Sequence, residues 1–91
     1  MSEKEFRAAV EVRLLPEVLD PQGATIEFGL RDLGFGTVSG VRAGKLIEFT
    51  IRAPSKDEAE AVVKQMAEKL LANPVIERFV VRVTQEDPRS P

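Results

Sequence analysis

From Phe6 to Leu15 the chain alternates between apolar and polar positions. Ala8, Val10, Val12 and Leu14 fall on one side, and Arg7, Glu11 and Arg13 on the other. A period of two sends successive side chains to opposite faces, so this stretch predicts a half-buried strand that Pro16 ends. The period then lengthens. Asp20-Pro21 has the chemistry of a helix start: the aspartate carboxylate accepts from an orphan N–H, and proline at the first helical position lacks an N–H that would be unpaired anyway. The helix is expected to run to about Leu33, with Gly34 as its left-handed stop. Ile26, Gly29, Leu30 and Leu33 make one stripe, while Ala24 and Phe28 lie on another side. A helix in a small domain needs one apolar stripe, so the second, with Phe28, is expected to meet another subunit.

Thr37 to Ala53 reads as a hairpin. Val38 and Val41 sit on its first arm; Ile47, Phe49 and Ile51 alternate on the second, with Glu48, Thr50 and Arg52 opposite. Ala43-Gly44 is the expected turn, with Gly44 supplying a positive φ, and Gly40 is expected to mark a bulge. Ser55, followed three residues later by Glu58, is a capping box. Behind it Ala59, Val62, Val63, Met66, Ala67 and Leu70 form an apolar face, and Glu60, Lys64 and Glu68 follow at spacings of four on the wet side. Pro74 disfavours helix at Asn73, so this helix is expected to stop near Leu71 or Ala72. Val75 to Val83 alternates again, with Phe79, Val81 and Val83 on one face and Arg78, Val80 and Arg82 on the other.

The resulting order is β-α-β-β-α-β. With both helices on one face of an antiparallel sheet it predicts an α+β two-layer sandwich in a ferredoxin-like arrangement. One domain is expected over residues 6–83, with frayed tails at 1–5 and 84–91. The other sheet face would carry a mixture of arginines and acids around Thr50 and Val80, with Leu15 and Leu46 nearby. Such a face is either solvated or a contact between copies, the latter involving Phe28, Leu46, Arg52, Arg78, Val80 and Arg82.

Composition narrows the function. The chain has 91 residues and contains no histidine, cysteine, tryptophan or tyrosine. The usual proton shuttle, soft-metal ligands and thiol nucleophile are therefore missing, which favours a binding or accessory role over independent catalysis. A domain this small buries only roughly 60–65% of its unfolded surface, and without disulfides or a metal its common remaining route to stability is oligomerisation. Thirteen basic and fifteen acidic residues give a net charge of −2. That balance argues against nonspecific nucleic-acid binding. RNA recognition on an open sheet needs exposed aromatics, and Phe49 and Phe79 fall on the core-facing registers. No segment reads as a signal peptide or a membrane span, and the expected location is the cytoplasm. Gly34-Phe35-Gly36 follows a helix instead of opening one, so it reads as a stop and not a phosphate loop. Arg42-Ala43-Gly44-Lys45 places two cations around a tight turn, either solvated or poised to dock on a partner's carboxylates or bind an anion. Glycine at Gly23 costs up to about 1 kcal/mol in a first turn against alanine, which suggests close approach of another chain.

Three stretches carry a resemblance. They are Val18-Leu19-Asp20-Pro21-Gln22-Gly23, then Val38 to Lys45 running on to Glu48, then Glu68 to Glu77 with Asn73-Pro74 at its centre. In this order, and over residues 6–83, the chain resembles the PurS family, the small subunit of phosphoribosylformylglycinamidine (FGAM) synthase. The resemblance implies a non-catalytic subunit in purine biosynthesis. The complex converts formylglycinamide ribonucleotide, glutamine and ATP to formylglycinamidine ribonucleotide. The small subunit would bridge a glutaminase subunit and a large ATP-dependent synthetase subunit and assist ammonia transfer. It would itself be a homodimer or tetramer. It would bind no cofactor or metal, with ATP and magnesium on the large subunit. Asp20, Pro21, Gln22, Gly23, Arg42, Gly44, Lys45, Glu48, Asn73 and Pro74 are then expected at contacts with partners, and none is expected to be catalytic. The competing expectation is a free-standing regulatory module of the same element order that binds a small ligand between copies.

Overall fold

The alternating stretch forms strand β1 (Lys4–Leu14) at the centre of a three-stranded antiparallel sheet in a computed structural model that describes residues 3–85. Strand β2 (Gly44–Ala53) pairs along one edge of β1, from Lys4 opposite Ala53 to Arg13 opposite Gly44. Strand β3 (Glu77–Thr84) pairs along the other, from Arg7 opposite Thr84 to Leu14 opposite Glu77. In this register Phe6, Ala8, Val10 and Val12 share a face with Ile47, Phe49 and Ile51 of β2 and Phe79, Val81 and Val83 of β3. The alternation read from the sequence is therefore the alternation of the sheet.

Helix α2 (Lys56–Met66) covers that face. Ser55 caps it, its hydroxyl accepting from the Glu58 N–H at 3.2 Å. Past Met66 the helix widens into a single π-helical turn (Ala67–Leu71), closed by the Ala72 N–H donating to the Ala67 carbonyl at 2.9 Å. Ala59, Val63 and Ala67, four apart, are fully buried, and Ala72 joins them. Among the described residues five of the ten buried apolar ones are alanines, so α2 sits close to the sheet, while many larger apolar side chains lie outside. Of the stripe expected to be core, Val62 and Met66 are exposed and Leu70 is 84% exposed. The alanines let the backbone approach, and a helix so close turns only a narrow face inward.

Helix α1 (Pro21–Asp32) starts and ends as its sequence predicts, with Asp20 as N-cap and Gly34 at φ 102°. Its placement is different. No strand packs extensively against it, nor does α2, and Gly23 is its one buried residue. The stripe of Ile26, Gly29, Leu30 and Leu33 therefore finds no core among the described residues, and Leu33, like Phe28, is 75% exposed. The radius of gyration of 16.9 Å exceeds the roughly 12 Å of a compact domain of this length.

The α+β class, the antiparallel sheet and the two helices stand as expected. The first arm of the hairpin does not form a strand: residues 33–43 are irregular. Their polar groups go elsewhere, since the Val41 N–H donates to Glu27 Oε1 at 3.0 Å and the Val38 carbonyl accepts from Arg31 at 2.7 Å. β2 spends its ladder on β1 instead. The positive φ falls at Gly40, 66°, and not at Gly44. Gly44 is needed for a different reason: a Cβ there would stand 2.8 Å from the Val12 carbonyl oxygen. Strand β1 begins at Lys4 and β3 ends at Thr84; residues 1–2 and 86–91, where tails are expected, lie outside the described residues.

The alanine core predicts a sharp positional effect. Ala59→Leu forces a larger side chain into a fully buried site and should cost about 1–3 kcal/mol. The same change at exposed Ala61 on α2 should stay within about 0.5 kcal/mol. Urea unfolding of the two variants measures the difference.

Candidate partner-binding surface

The strand directions bring distant parts of the sequence to one end of the sheet. Arg13, near the end of β1, lies opposite Gly44 on one side and Arg78 on the other, and Leu14 lies opposite Glu77. The loops that leave β1, enter β2 and enter β3 meet there. The Leu15 N–H donates to the Ile76 carbonyl at 2.8 Å, joining two of them. Asp20 to Gly23, Arg42 to Lys45, and Asn73-Pro74 are thereby gathered at this end. Glu48 stands apart, opposite Ala9 along β2.

Asp20 organises the site. One carboxylate oxygen accepts the Gly23 N–H at 2.9 Å, capping α1, and the other accepts the Ala43 N–H at 2.7 Å, fixing the entry to β2. The Gly23 N–H lowers its pKa most, followed by the Ala43 N–H; the Arg42 charge and the Gln22 N–H add to this against the opposing effect of burial. Gly23 is required by the same arrangement. A Cβ there would come within 2.3 Å of the Val41 carbonyl oxygen. The close approach expected from another chain is thus made by this chain's own loop. Pro21 and Gln22 remain exposed.

Arg42 is not at a hairpin tip. Its Nη2 donates to the carbonyls of Leu15 and Val18, each at 2.9 Å, and so staples the loop after β1. Lys45 and Glu48 are exposed on β2. Asn73 turns the chain into β3: its side chain accepts from the Val75 N–H at 3.1 Å, and its carbonyl accepts from the Glu77 N–H at 2.7 Å. Pro74 is exposed beside it.

The outer sheet face carries the expected mixture. Glu11, central on β1, accepts from Arg13 at 3.1 Å and pairs with Arg82 of β3. Leu46 and Val80 flank it, 56% and 49% exposed. Arg52, opposite Glu5, and Arg78 are also exposed. Phe28 projects from α1, where its helical stripe places it. A feature absent from the sequence reading is an apolar groove of about 420 Å³ between α2 and β2, lined by Phe49, Val62, Met66, Leu70 and Leu71. Its one sequence signal was the breadth of the α2 stripe. Glu27 and Arg31, which pair at 3.3 Å and hold the loop to α1, were also not singled out.

Among the described residues no group of three or more potential metal ligands is assembled, and no helix is long and apolar enough to cross a membrane. The Asp20 carboxylate is engaged by the chain's own backbone. The polar groups at this end of the sheet are engaged in shaping its loops.

Because the Asp20 carboxyl titrates below its ordinary value of 3.8, its contribution to stability is complete above that value. It is lost as pH falls through the lower folded-state value. Asp20→Asn should melt earlier than the parent protein at pH 7, and the gap should narrow below about pH 4. Thermal melts across this range test it; a gap independent of pH would assign the effect to shape and not to charge.

Comparison with known proteins identifies the family. A family model described as "PurS: Phosphoribosylformylglycinamidine (FGAM) synthase" matches residues 7–85. The phosphoribosylformylglycinamidine synthase subunit PurS of Synechocystis is 42% identical over 79 residues, covering 87% of this chain and 79% of that one. The Bacillus subtilis subunit PurS is 40% identical, covering 88% and 94%. Among solved structures, the purS subunit of the synthase from Thermotoga maritima superimposes with a TM-score of 0.84 at 37% identity, covering 91% of this chain and 95% of that one. A chain in the structure of PurLQS from the same organism gives 0.80 at 39% identity, covering 87% and 96%. A match over nearly the whole described chain, at this identity and with this agreement of fold, establishes that the protein belongs to the PurS family of FGAM synthase subunits.

Proposed function

We infer that this chain is the non-catalytic small subunit of an FGAM synthase, acting in the cytoplasm, and that it bridges the large synthetase and glutaminase subunits so that ammonia passes between them. The observation that carries this is the convergence of Asp20–Gly23, Arg42–Lys45 and Asn73–Pro74 on one end of the sheet, with their polar groups spent on shaping loops. Such an arrangement suits a rigid docking surface better than a reaction centre. ATP and its magnesium belong to the large subunit in this reading. Ammonia has to stay neutral and out of bulk water to remain a nucleophile, and holding two active sites in one closed assembly raises its local concentration.

The same reading includes self-association. Helix α1 exposes Ile26, Phe28 and Leu33, and the groove between α2 and β2 exposes Met66 and Leu70. Neither surface is satisfied within one chain, and the molecule is more extended than its length requires. The occupant we assign to the groove is the apolar side of α1 from a second copy.

Two measurements test these statements. Glutamine-driven turnover by the large and glutaminase subunits should require this protein, while ammonia-driven turnover by the large subunit should not. Lys45→Glu, at an exposed position, should weaken the first and spare the second. Indifference of both reactions to the protein would sink the bridging role. Separately, sedimentation velocity should show Phe28→Asp and Leu70→Asp shifting the protein toward a single chain. An unchanged particle would move the contact elsewhere, to the outer sheet face.

A further inference from the structure

We propose that the groove between Arg13, Arg42 and Arg78, at the same end of the sheet, binds the phosphate groups of a nucleotide-sized ligand. The groove has a volume of about 470 Å³ and is walled further by Leu14, Pro16 and Gly44, with no carboxylate among the described residues that line it. That volume lies within the range of small-molecule sites, roughly 300–1,000 Å³. The chain as a whole carries a net charge of −2, so three guanidinium groups around one depression are a local concentration and not a general property of its surface.

The sheet itself gives no reason for this arrangement. Arg13 and Arg78 are directly opposed across β1 and β3, on the same face. Like charges so placed destabilise a strand pair. Glu11 offsets little of this, because its carboxylate is shared between Arg13 and Arg82. The Arg78 side chain makes no hydrogen bond or ion pair to another described residue. A multiply charged oxyanion seated between Arg13 and Arg78 would turn this repulsion into attraction.

The third cation is already positioned. Both hydrogen bonds of Arg42 run through Nη2 to the carbonyls of Leu15 and Val18, which leaves the Nη1 side of its fork for a ligand. A guanidinium held in this way loses little freedom on binding. Gly44, opposite Arg13 in the register, places no side chain over the floor of the groove. Three forks suit a phosphate with several charged oxygens better than a single carboxylate. The apolar wall of Leu14 and Pro16 would accept a ring attached to it. The groove shares Arg42 and Gly44 with the proposed docking surface, but binding of a small anion there needs neither partner subunit.

Isothermal titration of the full chain with inorganic pyrophosphate, with ADP and with a tetra-aspartate peptide, at constant chloride, tests the site. Saturable binding of pyrophosphate and ADP is expected, with weak or no binding of the peptide. Arg78→Gln removes no internal contact and should weaken binding by about tenfold or more, the loss of one charge-assisted hydrogen bond. Lys56→Gln, at the start of α2, removes the same charge elsewhere and should leave affinity within about twofold, as screening of a distant charge requires. Equal affinity for pyrophosphate and ADP would identify the phosphates alone as the ligand, and tighter ADP binding would identify a nucleotide. The proposal is overturned if neither anion saturates, if the two variants weaken binding equally, or if the peptide competes best.

Discussion

The placement of α1 depends on one carboxylate. A helix normally takes its orientation from an apolar face pressed on a sheet, but α1 has almost no such contact. Asp20 holds its first turn and, through the Ala43 N–H, the start of β2 as well. Glu27 and Arg31 tie the following loop to the helix flank, and Arg42 ties the loop after β1. Removing the Asp20 carboxylate would orphan two N–H groups at once, at the point where two elements are joined. Polar networks of this kind fix geometry more sharply than apolar contact does, because partial satisfaction is costly. Gly23 belongs to the same device, since any larger residue would push the Val41 carbonyl away from the cap.

The second theme is an inverted distribution of side-chain size. Alanine fills much of the interior while Leu19, Phe28, Leu33 and Leu70 sit outside. In a self-contained domain the larger side chains would be inside, where each contributes about 1.5–3 kcal/mol on burial. Here Phe6 is buried, but the chain keeps many of its other large apolar side chains in reserve at its surface. That fits membership in a family whose structures include a multi-subunit assembly.

Periodicity made β1 and β3 legible, because each buries one face against its own chain, and the start of α2 was legible in the chemistry of its Ser55 cap. It failed where the deciding contacts were of another kind. The stripe on α1 announces that a face wants covering but carries no information about which chain covers it. Val38 and Val41 suggest a strand, yet side chains of Glu27 and Arg31 capture that segment's backbone groups before a ladder can. Gly44 looked like a turn residue, and its actual constraint, the Val12 carbonyl, is visible only once the register is known. The three motif stretches were readable one by one. Their meeting at one end of the sheet follows from the antiparallel pairing of both neighbours to β1, and so does the opposition of Arg13 and Arg78.

The pairing of β1 on both edges has a consequence for how the molecule is made. The central strand is synthesised before both of its neighbours, which follow only after a helix each, β2 and then β3. Every ladder contact is therefore long in sequence, a pattern that slows folding. Until β3 emerges, Val10 and Val12 belong to a nascent chain with an incomplete sheet, open to wrong partners. The last ladder of the sheet thus forms only once β3 has emerged, and the surfaces that depend on it appear together at that moment.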